Sequence, residues 1–222
     1  DGFDEGDSKV IFTSDQEGNT ITSGLSSFYD IDFTGSGSWA LQDDLTVTDD
    51  LGVYAGSVDA SSVDINLTDD FMLYGGSFTA PSGNFYIGDD FDQVDDANSM
   101  ASGTFIHNGG TVIFTGADND EDEENPITYQ NIMTNGDSFY NVRLETGDIP
   151  YRNNLILNTP FSTSDTFTIE GNLEIVRGGL EIEPDTFVNV EGNVEISLGP
   201  AGIDADDANI YITVFGDWSN YG

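Results

Sequence analysis

The chain lacks cysteine and contains only four lysine and arginine residues and one histidine among 222 residues. Without cysteine there is no disulfide and no thiolate chemistry, so packing, metal ions or assembly must stabilise the fold. The four cations Lys9, Arg143, Arg152 and Arg177 are scattered, whereas binding nucleic acid or an anionic membrane requires clustered positive charge. No apolar run approaches the roughly 18 residues of a membrane-spanning helix. We therefore expect no nucleic-acid partner and no membrane insertion.

Acidic residues are abundant instead. The 42 aspartates and glutamates give a formal net charge of −38, which makes cations the natural partners. Most of these acids are aspartate, and aspartate and the 26 glycines favour turns over helix interiors. The composition therefore predicts an all-β protein.

Short alternating segments that end in an aspartate pair recur every 20 residues, and the pairs are Asp49-Asp50, Asp69-Asp70 and Asp89-Asp90. Alternation with a period of two predicts strands bounded by turns. The constant spacing predicts a right-handed parallel β-solenoid with coils of about 20 residues, stacked about 4.8 Å apart. In an antiparallel sandwich, the alternative, turn chemistry would not recur in phase.

A longer repeat overlies the short one. Val10–Thr13 matches Val112–Thr115, and residues 21–31 match residues 132–142, so the offset grows from 102 to 111. The nine extra residues form the acidic insertion 117–125, which we predict to be a surface loop. The sequence thus predicts two units, 1–109 and 110–222, in one continuous solenoid whose tail sequence continues into its head sequence.

Four segments carry a family resemblance: Gly-Thr-Phe-x-x-x-x-Gly-Thr-Val-x-Phe-x-Gly at Gly103–Gly116, Ser-Phe-Tyr-Asn-Val at Ser138–Val142, Asp43–Thr48 and Gly171–Ile175. They resemble the tandem β-solenoid repeats of very large secreted bacterial surface proteins, broadly the filamentous-haemagglutinin-like adhesins and related surface repeat proteins. The resemblance implies an extracellular, structural or adhesive role and supplies no catalytic residues.

Stacking of 20-residue coils would align the aspartate pairs in columns. Two carboxylates about 4.8 Å apart repel by about 0.9 kcal/mol in water and by several times more near a protein surface. Three alternatives remain for these columns. Calcium, which takes 6–8 oxygen ligands, would offset the repulsion, and molar salt would screen it. In the third alternative the aspartates lie in solvated turns that bind no ion. The candidate calcium ligands are Asp49, Asp50, Asp69, Asp70, Asp89, Asp90, Asp118, Asp120, Asp122 and Glu124.

The aromatic residues are expected to form the core. Alternation places nine phenylalanines inward, namely Phe28, Phe71, Phe78, Phe85, Phe105, Phe114, Phe139, Phe187 and Phe215. Tyr29 and Tyr140 should point outward, where they could contact glycans. With His107 as the only histidine, a zinc site of several imidazoles is excluded, and we do not expect an enzyme.

An open solenoid end exposes an unpaired strand edge, and we see no capping repeat in the sequence. We therefore predict a secreted structural module of an extracellular filament, surface layer or adhesin stalk that assembles end to end with itself, as a head-to-tail homopolymer or as part of a longer array of the same chain. The expected interface residues are Phe3, Val10, Phe12, Phe215, Trp218 and Tyr221. A carbohydrate-binding adhesin domain is the alternative. A β-helix polysaccharide lyase or glycosidase is a more distant one, because paired carboxylates serve such enzymes.

Overall fold

The computed structural model describes residues 6–93, 103–116, 129–145, 154–158, 166–182, 184–197, 201–204 and 210–222. These residues form strands and turns, with no helix among them. The strands are β1 (Lys9–Phe12), β2 (Asn19–Ile21), β3 (Asp30–Phe33), β4 (Ser38–Leu41), β5 (Leu45–Val47), β6 (Leu51–Val53), β7 (Ser57–Asp59), β8 (Ile65–Leu67), β9 (Phe71–Leu73), β10 (Ser77–Thr79), β11 (Asn84–Ile87), β12 (Phe91–Asp92), β13 (Thr104–Ile106), β14 (Thr111–Phe114), β15 (Tyr129–Met133), β16 (Asn141–Glu145), β17 (Asn154–Asn158), β18 (Thr166–Ile169), β19 (Leu173–Ile182), β20 (Phe187–Val190), β21 (Val194–Ile196), β22 (Ala201–Asp204), β23 (Tyr211–Val214) and β24 (Trp218–Asn220).

The strands pair in parallel and stack into a β-solenoid of about eight turns with roughly 21 residues per coil. Face 1 contains β1, β3, β6, β9, β12, β15, β17, the end of β19, and β22. Face 2 contains β2, β4, β7, β10 and β13, and further along β18, β20 and β23. Face 3 contains β5, β8, β11, β14, β16, the start of β19, β21 and β24. The prediction of an all-β parallel solenoid is confirmed.

The 20-residue period is seen directly in the strand register of face 1. Ile31 pairs with Leu51, Leu51 with Phe71, and Phe71 with Phe91. On face 3, Leu173 pairs with Val194 and Val194 with Trp218, at the spacings of 21 and 24 residues read from the sequence. Between these regions the register steps are longer, because the connections between strands are longer there.

Inward side chains of the three faces form one apolar core. Phe71 lies at its centre, with ring centroids 4.8 Å from Phe78, 5.1 Å from Phe85 and 5.2 Å from Phe91. A strand on each face therefore contributes aromatic rings to the same layer, so neighbouring coils are held together by ring packing as well as by backbone hydrogen bonds.

The segments of the longer repeat occupy different faces. Val10 belongs to face 1, whereas the matching Val112 belongs to face 3; Ile31 lies on face 1 and its match Val142 on face 3. Position 109/110 falls within a coil, between β13 and β14. The two-unit division stays a prediction, and the insertion 117–125 lies outside the described residues.

Two phenylalanines predicted to be inward are not. Phe215 is 70% exposed, and Phe187 is only partly buried, with its ring stacked on Tyr211. On these strands the inward positions are Val188 and Val190 on β20 and their partners on β23. Alternation with these valines, and with Ile212 and Val214 on β23, places both phenylalanines on the outer side, so their predicted inward position was wrong.

Candidate functional site

The aspartate pairs lie at the corner between face 3 and face 1. One column there contains Asp30, Asp50, Asp70 and Asp90, stacked in successive coils. Asp30 Oδ1 accepts the backbone N–H of Asp50 at 3.1 Å, and Asp70 Oδ1 accepts that of Asp90 at 3.0 Å. Each of these carboxylates is thus bound to the next coil, which explains why an acid tolerates this position.

A second column in the same turns contains Asp49, Asp69 and Asp89. Together the two columns form two groups of three carboxylates, Asp30-Asp49-Asp50 and Asp69-Asp70-Asp89. In each group, one oxygen from each carboxylate lies within 4.8 Å of one oxygen from each of the others. All are partly buried. Of the predicted ligands, Asp90 is in neither group, and Asp118, Asp120, Asp122 and Glu124 lie outside the described residues.

The acidic corner has different neighbours at its two ends. Below it, Lys9 Nζ lies 3.4 Å from Asp30 Oδ2 and 3.3 Å from Asp32 Oδ2. Above it, the Asn131 N–H donates to Asp90 Oδ1 at 2.6 Å, and the buried Gln130 donates from Nε2 to the Asp89 carbonyl at 3.0 Å. The side chains at this corner therefore change from carboxylates to carboxamides at β15. This is the first strand after the acidic insertion, which lies between Gly116 and Tyr129 in the sequence.

Burial and crowding change the acidity of these groups. Burial first, and then the charge of Asp70, raise the pKa of Asp69 to about 7. Burial raises the pKa of Asp70 to about 6, and the hydrogen bond from the Asp90 N–H opposes this only in part. The pKa of Asp50 is also raised, mainly by burial. In the absence of a cation, the corner therefore retains protons at pH values where exposed aspartates have lost them.

This predicts an unusual pH dependence of stability. The folded-state pKa values of Asp69 and Asp70 lie above the unfolded value of about 3.9. The stability that their protonated forms contribute is therefore fully present below about pH 3.9 and is lost as the pH rises through 6 to 7. In low-salt, cation-free buffer, the free energy of unfolding should fall by on the order of 2 kcal/mol between pH 5 and pH 8, after discounting for partial solvent exposure. Thermal unfolding followed by circular dichroism measures this. A melting temperature that stays constant over this range would contradict it.

A ladder that the sequence analysis missed lies at the corner between faces 2 and 3. There one Asp or Asn side chain in a coil accepts the backbone N–H of the next coil, at 2.8–2.9 Å, in the steps Asp44–Asp64–Asn84 and Asn141–Asn172–Asn193–Asp217. We call it the Gly-Asx ladder, because a glycine precedes Asn84, Asn172, Asn193 and Asp217 in the sequence. A Cβ at Gly83 would collide with Asp64 Oδ1, and one at Gly216 with Asn193 Oδ1, so glycine makes room for the acceptor in these steps, whereas Val63 precedes the donor in the step from Asp44 to Asp64.

The single histidine takes part in a surface cluster. His107 Nε2 lies 3.2 Å from Glu170 Oε2, and its Nδ1 accepts the Gly109 N–H at 3.0 Å. Ser138 Oγ donates to Glu170 Oε1 at 2.8 Å rather than to the imidazole, so the three side chains lack the nucleophile-to-base contact of a Ser-His-acid triad. The His107 ring also stacks on Tyr140, which points outward as predicted and is 39% exposed.

The inward side of the solenoid is open at both ends of the described chain. Most apolar residues that point inward in the first and last coils are only partly buried, although Ile21 on β2 is buried, and their counterparts between these coils are buried. The partly buried end residues include Phe12, Phe28, Ile203, Ile212 and Val214. Trp218 stacks in register on the buried Val194 yet is 49% exposed. Phe215 and Tyr221 are exposed beside it, Val10 is partly buried, and Phe3 lies outside the described residues.

These features define a parallel β-solenoid with an acidic corner and apolar ends. Comparison with protein-family models, curated protein sequences and solved structures finds no match to this chain. The likeness to bacterial surface repeat proteins therefore stays a prediction. In the part of the chain that the structure describes, no helix has the length and hydropathy needed to span a membrane.

Proposed function

We propose that the chain is a structural module that stacks end to end in an extracellular filament, surface layer or adhesin stalk. The observation that carries this proposal is the contrast between the buried core and the partly buried apolar residues at both ends. Covering such residues releases about 25 cal/mol per Å² of apolar surface, and an unpaired strand edge supplies hydrogen-bonding groups for a further coil.

Calcium is the cation we propose for the acidic corner. Each group of three carboxylates supplies hard oxygen ligands, and backbone carbonyls and waters would complete the 6–8 that calcium takes. Sites in extracellular modules have dissociation constants of about 10⁻⁴–10⁻³ M, which fits an extracellular location. Neutralising the corner would also weaken the repulsion between subunits that carry −38 each.

Sedimentation velocity and electron microscopy test the assembly. The chain should form rod-like oligomers whose length grows with protein concentration, more so with calcium than with chelator. Trp218→Glu should reduce association at least about tenfold, because it places a charge in an apolar joint. Ile106→Glu introduces the same charge at an exposed residue in the middle of the solenoid and should have no effect.

Monodisperse monomers in both calcium and chelator would contradict the assembly proposal. Monomers that are also retained on immobilised glycans would favour the carbohydrate-binding alternative, for which the exposed Tyr140 ring beside His107 is the best candidate contact. Turnover of a polysaccharide would instead indicate an enzyme.

A further inference from the structure

Charge is distributed unequally along one register column of face 1. Strand register connects Lys9 to Asp30 and then leads, coil by coil, through Asp50, Asp70, Asp90, Asn131, Ile156 and Glu181 to Asp204. The column therefore starts with the only lysine of the chain, on the first coil, and ends with two acids on the last coils.

The order of the faces is compatible with continuation from one copy to the next. The first coil starts on face 1 with β1, and the last coil ends on face 3 with β24. Because the chain visits the faces in the order 1, 2, 3, the strand after β24 would lie on face 1. The β1 strand of another copy can occupy that place, so stacking needs no rotation by a whole face.

We propose that the partner at each end is a second copy of this chain, stacked head to tail, with β1 beside the other copy's β22 and Lys9 in the same column as that copy's Asp204. The inference rests on the proposed end-to-end function and adds the register of the joint. One coil step of about 4.8 Å would separate the two charged positions. Head-to-head and tail-to-tail stacks would pair the edge strands antiparallel, which interrupts the column, so only the head-to-tail arrangement places Lys9 beside Asp204.

Charge-reversal variants of the full chain test this register. In low salt, Lys9→Glu and Asp204→Lys should each weaken self-association roughly tenfold in sedimentation velocity, because each converts an opposite-charge pair into a like-charge pair. An equimolar mixture of the two variants should associate as the wild type does, since every joint in an alternating stack then pairs opposite charges. The double variant should recover for the same reason.

The mixture also controls for misfolding, because a damaged variant could not be rescued by its complement. Asp59→Lys, with the same charge change as Asp204→Lys but on an exposed position of β7, should associate normally. Two results would overturn the register but not the proposed function. In the first, the wild type associates and each single variant associates equally well. In the second, the single variants associate weakly, and neither the mixture nor the double variant restores association. A wild-type chain that remains monomeric would overturn the proposed function and this inference together.

Discussion

Replacing Phe71 by alanine is expected to lower the free energy of unfolding by about 3–5 kcal/mol. The Phe71 ring is fully buried and packs against three other phenylalanine rings, one on each face of the solenoid. Its removal leaves a cavity that neighbouring coils cannot close, because their positions are fixed by backbone pairing on all three faces. Urea denaturation followed by circular dichroism, at a protein concentration low enough to prevent association, measures the loss.

Two further variants calibrate that result. Phe71→Leu keeps most of the buried volume and should cost much less than Phe71→Ala. Ile106→Ala removes an exposed side chain from the outer surface of β13 and should change stability by no more than about 0.5 kcal/mol. Equal losses for Phe71→Ala and Ile106→Ala would show that Phe71 is not part of the core.

Replacing Asp69 and Asp70 together by asparagine is expected to raise the free energy of unfolding at pH 8, in chelator and low salt, by about 2–3 kcal/mol. The amide oxygen of an asparagine at position 70 can still accept the Asp90 N–H, as the side chains of Asn141, Asn172 and Asn193 accept N–H groups at the other corner. The substitution therefore removes the buried charge while keeping the hydrogen bond between coils. Thermal unfolding at pH 8 and pH 5 measures the gain, which should be smaller at pH 5 because the folded wild type then retains protons on Asp69 and Asp70.

At pH 8, calcium should remove most of the stability difference between the two proteins. For a site with a dissociation constant of about 0.1 mM, about 10 mM calcium stabilises the wild type by about 2.7 kcal/mol, and the double variant should lose most of this response. Asp59→Asn has one fewer charge but lies outside both carboxylate groups, so it should keep the wild-type response. No calcium response in the wild type, or an equal response in the double variant, would contradict calcium binding by Asp69 and Asp70.

The regular part of the fold could be predicted because its determinants are local. Apolar alternation and the spacing of aspartate pairs encode the strands and the 20-residue coil, and once the coil length is known the columns at Asp50 and Asp70 follow. The carboxylate groups themselves combine residues from neighbouring coils. Asp30 follows a tyrosine rather than an aspartate, so the search for aspartate pairs does not find it as a third member.

Features that depend on how a corner turns could not be predicted. Phe187 is an exception, because its outward position follows from alternation with Val188 and Val190 and only its aromatic character favours the core. The ladder before face 3 depends on the close approach of glycine to the coil below, and the Gly-Asx pairs that mark it have the composition of ordinary turns. Val10 and Val112 match in sequence but lie on faces 1 and 3. This difference likewise arises from connections whose lengths do not follow the 20-residue period.

The hydrogen bonds along the Asp30–Asp90 column and along the Gly-Asx ladder run in one direction. In each step a side-chain oxygen accepts a backbone N–H of the coil that follows: Asp30 accepts the N–H of Asp50, and Asn193 accepts the N–H of Asp217. The two ends of the described solenoid therefore differ chemically, because the ladder ends at Asp217, whose side chain is of the acceptor type. Joints made between unlike ends are heterologous, and when they repeat without closing they give an open polymer rather than a ring. Such a polymer would be polar along its length, and its two ends would add subunits at different rates.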